Sequence, residues 1–76
     1  MKYKEFDNIE SSVIVKCINE FVHDEKHRAI LISRFVDGLS HGDLAEKYNY
    51  SERNIKKIVY KNGDNLLKKM RQLKFL

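Results

Sequence analysis

Side chains that could recognise a nucleic acid are grouped in the last third of the chain, directly behind Ser51. Glu52, Arg53 and Asn54 come first, and three lysines follow before residue 62. In the major groove of DNA, arginine pairs with guanine O6 and N7, asparagine pairs with adenine N6 and N7, and glutamate accepts from cytosine N4. We therefore interpret these three residues as candidates for base contact.

Phosphate contacts need cations or N–H groups and carry no base preference. The lysines after Asn54 are such cations. Backbone N–H groups near Ser40 and His41 would add the positive end of a helix dipole if a helix starts there. The complete set predicted to contact DNA is Ser40, His41, Ser51, Glu52, Arg53, Asn54, Lys56, Lys57, Tyr60 and Lys61.

Charge is unevenly distributed along the chain. The net charge is +4, but residues 1–50 hold seven lysines and arginines against nine acidic residues, whereas residues 51–76 hold eight against two. Basic groups near phosphates release condensed counterions, so this asymmetry favours a polyanionic partner for the last third. A solvated, lysine-rich surface would give the same composition.

Local signals around these candidates are typical of two short helices joined by a tight turn. Ser40 and Asp43 have the spacing of a capping box, which starts a helix that we expect to end at Tyr48. Asn49 tolerates a positive φ and suits the reversal of the chain, and Ser51 can cap the next helix.

A close crossing of these two helices requires a small residue at the contact, and Ala45 has that position. Tyr50 is expected to close the turn. The pattern predicts a helix-turn-helix over about residues 40–62. The shared interior is expected to contain Leu44, Tyr48, Ile55 and Ile58.

Two further helices are predicted upstream. Asp7 and Asn8 are placed to cap a first helix, whose apolar residues recur every four positions from Ile9. Asp24 is placed to cap a second helix. Gly38 should end that helix, because glycine accepts the left-handed conformation found after helix ends.

The last helix could be continuous through Asn62-Gly63-Asp64 or could be divided there. Its apolar residues keep a period near 3.6 across Asn62-Gly63-Asp64, which favours one long helix. The alternative is a stop near Asn62 and a separate short helix from Asp64. The apolar residues at its end, with Phe75 and Leu76, could pack on the first helix, form a homodimer seam or lie on an acidic partner or a membrane surface. We favour packing within the chain.

These elements predict one all-α domain over residues 1–76, a small four- to five-helix domain containing a helix-turn-helix. The sequence holds no apolar run of 18 residues, and its first residues lack the pattern of a secretory signal. We therefore expect a cytoplasmic protein with no membrane partner.

Residues that could serve metal binding or catalysis are few. Cys17 lies in an apolar helical pattern and is expected in the core. His23 and His27 are four residues apart, but the sequence offers no Cys-x-x-Cys pair and no clear fourth ligand, so we expect no bound metal. No glycine-rich phosphate loop or Ser-His-Asp arrangement is found. We expect neither a cofactor nor an enzyme.

Four short motifs follow one another in the chain: Arg34-Phe35, Gly38-Leu39-Ser40, Asp43-Leu44-Ala45, and Ser51 with Asn54-Ile55. With these motifs, residues 28–67 resemble region four of bacterial sigma factors, and in particular the stand-alone proteins of this type found in phages and prophages. The resemblance implies a transcription regulator that places the helix after Ser51 in the major groove of double-stranded DNA. It also implies contact between the first two helices and RNA polymerase.

Two other functions remain open. The chain departs from the family pattern at Ser33, Gly42 and Gly63, and its first helix has a surplus of apolar residues. These features favour an adaptor that binds RNA polymerase or a sigma factor and barely touches DNA. The other alternative is DNA recognition during phage genome packaging, because small terminase subunits also use helix-turn-helix domains.

Overall fold

A computed structural model describes the backbone of residues 4–74 and the side chains of residues 6–74. A 3-10 helix over Lys4–Asn8 is followed by four α-helices, which are α1 (Ser11–Phe21), α2 (Glu25–Phe35), α3 (His41–Tyr48) and α4 (Glu52–Gln72). No strand occurs within residues 4–74, so the predicted all-α class is confirmed. The expectations for Phe75 and Leu76 lie outside the described residues.

Helix α4 is the longest element and packs against α1, α2 and α3. It runs without interruption through Gly63, which is buried, so the favoured prediction of one long helix is confirmed and the alternative of a stop near Asn62 is wrong. Glycine inside a helix costs ~1 kcal/mol relative to alanine, and burial of the apolar face on both sides of Gly63 offsets that cost. The largest fully buried side chains are Ile14, Ile18, Ile30, Leu31, Leu44, Ile55, Val59, Leu66 and Met70.

Side-chain caps begin α2 and α3 where the sequence predicts them. The Asp24 carboxylate accepts hydrogen bonds from the N–H groups of Lys26 and His27 at 2.9 and 3.1 Å. The Ser40 hydroxyl accepts from the Asp43 N–H at 3.0 Å, and the Asp43 carboxylate accepts from the Ser40 N–H at 3.3 Å. The capping box is therefore complete, and it satisfies N–H groups that the first helical turn leaves without partners.

The start of α1 differs from the prediction. Asp7 and Asn8 do not cap it, because they belong to the 3-10 helix, and α1 begins only at Ser11. Glu10 holds the cap position without a side-chain hydrogen bond. The physical reason is tertiary packing: Phe6 is buried with its ring centroid 4.6 Å from that of Phe35, and this contact fixes the chain ahead of α1 in a tighter turn.

A buried polar contact links α2 to α3. The hydroxyl oxygens of Ser33 and Tyr48 are 3.0 Å apart, and Ser33 is only 4% exposed. The connection between the helices is held as well, because Arg34 Nη1 donates to the Leu39 carbonyl at 2.8 Å and Gly38 adopts a φ of +75°. These contacts fix the position of α3 before the chain turns into α4.

Candidate nucleic-acid interface

The turn between α3 and α4 consists of Asn49, Tyr50 and Ser51. Asn49 adopts the left-handed conformation, with φ 58° and ψ 44°, as its tolerance of positive φ predicts. The N–H groups of Asn49 and Tyr50 both donate to the Ala45 carbonyl, the second at 3.0 Å. This short, hydrogen-bonded link between two packed helices is compatible with a helix-turn-helix.

The interior shared by α3 and α4 is built as predicted. Leu44 and Ile55 are fully buried, and Ile58 is nearly so. Tyr48 and Tyr50 are half-buried and pack against the core, so they belong to the framework of the turn. Lys26 of α2 places its Nζ 5.2 Å from the centroid of the Tyr50 ring, close enough for a cation–π contact.

Ser51 fixes the first turn of α4. Its hydroxyl accepts a hydrogen bond from the Asn54 N–H at 3.1 Å, so this predicted site residue has a structural role as a cap. The cap orders the backbone of Glu52, Arg53 and Asn54. Side chains projecting from this turn therefore start from a fixed backbone.

Four exposed polar side chains lie together on one side of α4 in its first three turns. We call this set, Arg53, Asn54, Lys57 and Lys61, the outer face; all four are exposed. Arg53, Lys57 and Lys61 are spaced by four residues, which places them one above another at intervals of about 6 Å along the helix. The structure thus brings one predicted base-contact pair and two predicted phosphate contacts onto one surface.

Glu52 and Lys56 lie at one edge of this surface and pair with each other. Lys56 Nζ is 3.7 Å from Glu52 Oε1, and the two side chains are 48% and 57% exposed. An exposed pair one turn apart contributes only about 0.3–0.5 kcal/mol, so either side chain can rearrange toward a ligand. The pair also compensates the charge of the one acidic residue predicted to contact DNA.

His41 lies against α4, although the sequence suggested only a role for its backbone. Its ring packs edge-on against Tyr60 with centroids 5.6 Å apart, and its Nε2 is buried with no hydrogen-bond partner among residues 4–74. Burial lowers the pKa of His41, and the positive charges of Arg34 and Lys56 lower it further, while Glu52 opposes them. The ring lies at the contact between α3 and α4. Ser40 is exposed at the cap beside it.

A groove that no sequence pattern indicated lies along the other edge of α4. We call it the flanking groove; its lining residues are His27, Tyr50, Asn54, Lys57, Ile58, Lys61 and Asn62. His27 comes from the first turn of α2, more than twenty residues away in sequence. A contact between elements so distant has no local signal, so sequence patterns did not identify His27 or Lys26 as part of this surface.

Chemistry elsewhere in the described residues is limited. Cys17 is buried, as predicted, and burial raises the pKa of its thiol, with the charge of Glu20 acting in the same direction. Within residues 4–74, no group of three histidine, cysteine or acidic side chains could hold a metal ion. No helix in the same range is long and apolar enough to cross a membrane.

Comparisons of the chain with protein-family models, with curated proteins and with solved structures find no match. The resemblance to sigma region four therefore depends on the motifs in the sequence, and it stays a prediction.

Proposed function

We propose that this protein binds double-stranded DNA and regulates transcription, with the first half of α4 in the major groove. The observation that carries the proposal is the outer face of α4, where Arg53, Asn54, Lys57 and Lys61 are all exposed on one side of a helix that is packed on the other. An α-helix with its side chains is about 10–12 Å across and fits a major groove of about 12 Å.

The residues of the outer face have two different roles, which follow from their side-chain chemistry. Arg53 and Asn54 are the base-contacting residues, because each can form two hydrogen bonds to a purine edge. Lys57 and Lys61 hold phosphates, which position the helix without selecting a sequence. The Ser51 cap and the packing of Ile55 hold this surface before DNA arrives, so little backbone order is lost on binding.

The motifs that resemble sigma region four make promoter DNA the proposed target. The role would be that of a stand-alone regulator of the phage or prophage type, acting in the cytoplasm. RNA polymerase is the proposed protein partner, through α1 and α2. This part of the proposal depends on the resemblance, whereas DNA binding depends on the outer face.

Selection of bound sequences from a random duplex pool, followed by fluorescence anisotropy on the selected site, tests the proposal. We expect enrichment of one site and tighter binding to it than to a scrambled duplex. An asymmetric site near promoters supports the sigma-like role, whereas a palindrome indicates a homodimer. Capture of RNA polymerase without any duplex binding would favour the adaptor, and a selected site that is active only in packaging would favour the packaging role.

A further inference from the structure

The flanking groove combines side chains from two helices and the turn. Asn54, Lys57 and Lys61 form its α4 side, His27 of α2 forms the opposite side, and Tyr50 forms one end. Successive residues of a helix are rotated by about 100°, which places Asn54 and Lys61 on nearly the opposite edge of α4 from Lys56. Lys56 lies near His41, on the side of α4 that faces α3. The groove is therefore distinct from the α3 side of the proposed interface.

The charges at this groove are those of an anion-binding surface. Two lysines line it, and Lys26 is held at its rim by the Tyr50 ring. None of its described lining residues is acidic. At the start of α2, the Asp24 carboxylate already accepts two backbone hydrogen bonds, and Glu25 is exposed and is not among the lining residues. Amide, imidazole and ammonium groups are all donors suited to phosphate oxygens.

The basic surface also continues along the helix. A second cavity adjoins the flanking groove at Asn62 and is lined further on by Asn65, Lys68 and Lys69. Asn62 is fixed there, since its Nδ2 donates to the Ile58 carbonyl at 2.8 Å. An extended series of cations and amides suits a linear polyanion better than a single compact anion.

We infer that the flanking groove holds the sugar–phosphate backbone of one DNA strand, with Lys26 and His27 of α2 on one side of that strand and Lys57 and Lys61 of α4 on the other. The inference rests on the proposed function. A helix in the major groove has one strand along each edge. The α3 edge faces one strand, and the groove receives the second, so α2 becomes part of the DNA interface.

Salt-dependent anisotropy with a labelled 20-base-pair duplex tests this inference. Each phosphate contact contributes about 0.9 to the slope of log K against log salt concentration. We expect Lys26→Gln to reduce the slope by about that amount. The ratio of wild-type to variant affinity should therefore fall about 3.5-fold between 50 and 200 mM KCl. Lys16→Gln, the same change at an exposed position of α1, is the matched control and should leave the slope unchanged.

A duplex with single neutral methylphosphonates identifies the strand. A methylphosphonate at one position on one strand should weaken binding of the wild-type protein. The same substitution should leave binding of the Lys26→Gln variant unaffected, because that variant already lacks the lysine that contacts this phosphate. His27→Gln should lose sensitivity at the same or an adjacent phosphate.

The outcomes separate the two proposals. Absence of duplex binding by the wild-type protein would overturn the proposed function and this inference together. Wild-type duplex binding with identical slopes for Lys26→Gln and Lys16→Gln would overturn the inference alone. If Lys26→Gln weakens binding to an acidic peptide such as polyglutamate but not to the duplex, the groove serves an acidic protein partner, and the inference is wrong.

Discussion

Removing the hydroxyl of Tyr48 should destabilise the fold, because the buried Ser33 hydroxyl would lose its partner. The two oxygens are 3.0 Å apart, and Ser33 is 4% exposed, so water cannot replace Tyr48 without a rearrangement. A buried polar group left without a partner costs about 1–3 kcal/mol. A serine in a helix can turn its hydroxyl toward the carbonyl one turn back, which places the expected cost near the lower limit, at about 1 kcal/mol.

The size of this effect is measurable in a chain of this length. A loss of about 1 kcal/mol should lower Tm by roughly 4–8 °C in a domain of 60–100 residues. Ser33→Ala should cost less than Tyr48→Phe, because Tyr48 is half-buried whereas Ser33 is buried. The double variant should be more stable than the sum of the single changes predicts, by about 1 kcal/mol of coupling.

Urea unfolding followed by circular dichroism provides the four free energies of unfolding. Tyr50→Phe is the control, since Tyr50 is also half-buried and its hydroxyl has no hydrogen bond among residues 4–74. We expect it to change stability by less than half as much as Tyr48→Phe. The idea that the Ser33–Tyr48 pair holds α2 to α3 would be refuted by either of two results. One is a loss of unfolding free energy in the double variant equal to the sum of the two single losses, and the other is an equal loss for Tyr48→Phe and Tyr50→Phe.

Other expected outcomes concern DNA binding and the stability of the helices that form the interface. Arg53→Ala and Asn54→Ala should each weaken binding to the selected duplex by ~1–3 kcal/mol and relax base preference in a competition assay, whereas Lys57→Ala should weaken all duplexes evenly and reduce the salt slope by about 0.9. Ser51→Ala should lower the free energy of unfolding by about 1 kcal/mol in urea titrations, and Ser51→Asp should restore it, because either oxygen-bearing side chain can cap α4. The pKa of His41 is lower in the folded protein than in the unfolded chain, where histidine has its ordinary pKa of about 6.5. Below pH 6.5 the unfolded chain therefore binds a proton at His41 more readily than the folded protein does. The stability associated with His41 is therefore present above pH 6.5 and is lost as the pH falls through the folded-state pKa. Urea midpoints of the wild-type protein should fall more steeply from pH 7.5 to 5.5 than those of His41→Gln. Parallel curves for the two proteins would contradict this.

The sequence predicted the parts of this fold whose causes are local. Asp24, Ser40 and Ser51 act as caps, and Asn49 takes the left-handed turn, because each of these roles depends on the residue's own side chain and its nearest neighbours. The continuity of α4 through Gly63 was predicted from the phase of apolar residues, which reports burial over several turns. The same periodicity placed Cys17 in the core.

Long-range packing accounts for what the sequence did not reveal. Phe6 packs on Phe35 across nearly thirty residues, and this contact overrides the local capping signal at Asp7 and Asn8. The insertion of His41 against Tyr60 and the approach of the α2 start to α4 likewise depend on how helices meet. The predicted contact residues between Glu52 and Lys61 are local to one helix, and all of them are exposed. Their contact with DNA remains a prediction.

Titration of a labelled duplex with the wild-type protein at 25, 50, 100 and 200 mM KCl measures the central proposition directly. Lys56, Lys57 and Lys61 alone would give a log–log slope of about −2.7 if each meets one phosphate, and contacts from α2 would steepen it. We expect saturable binding with a slope at least that steep and a preference for the selected site over a scrambled duplex. No detectable association at 25 mM KCl with micromolar protein would contradict a DNA-binding role for α4.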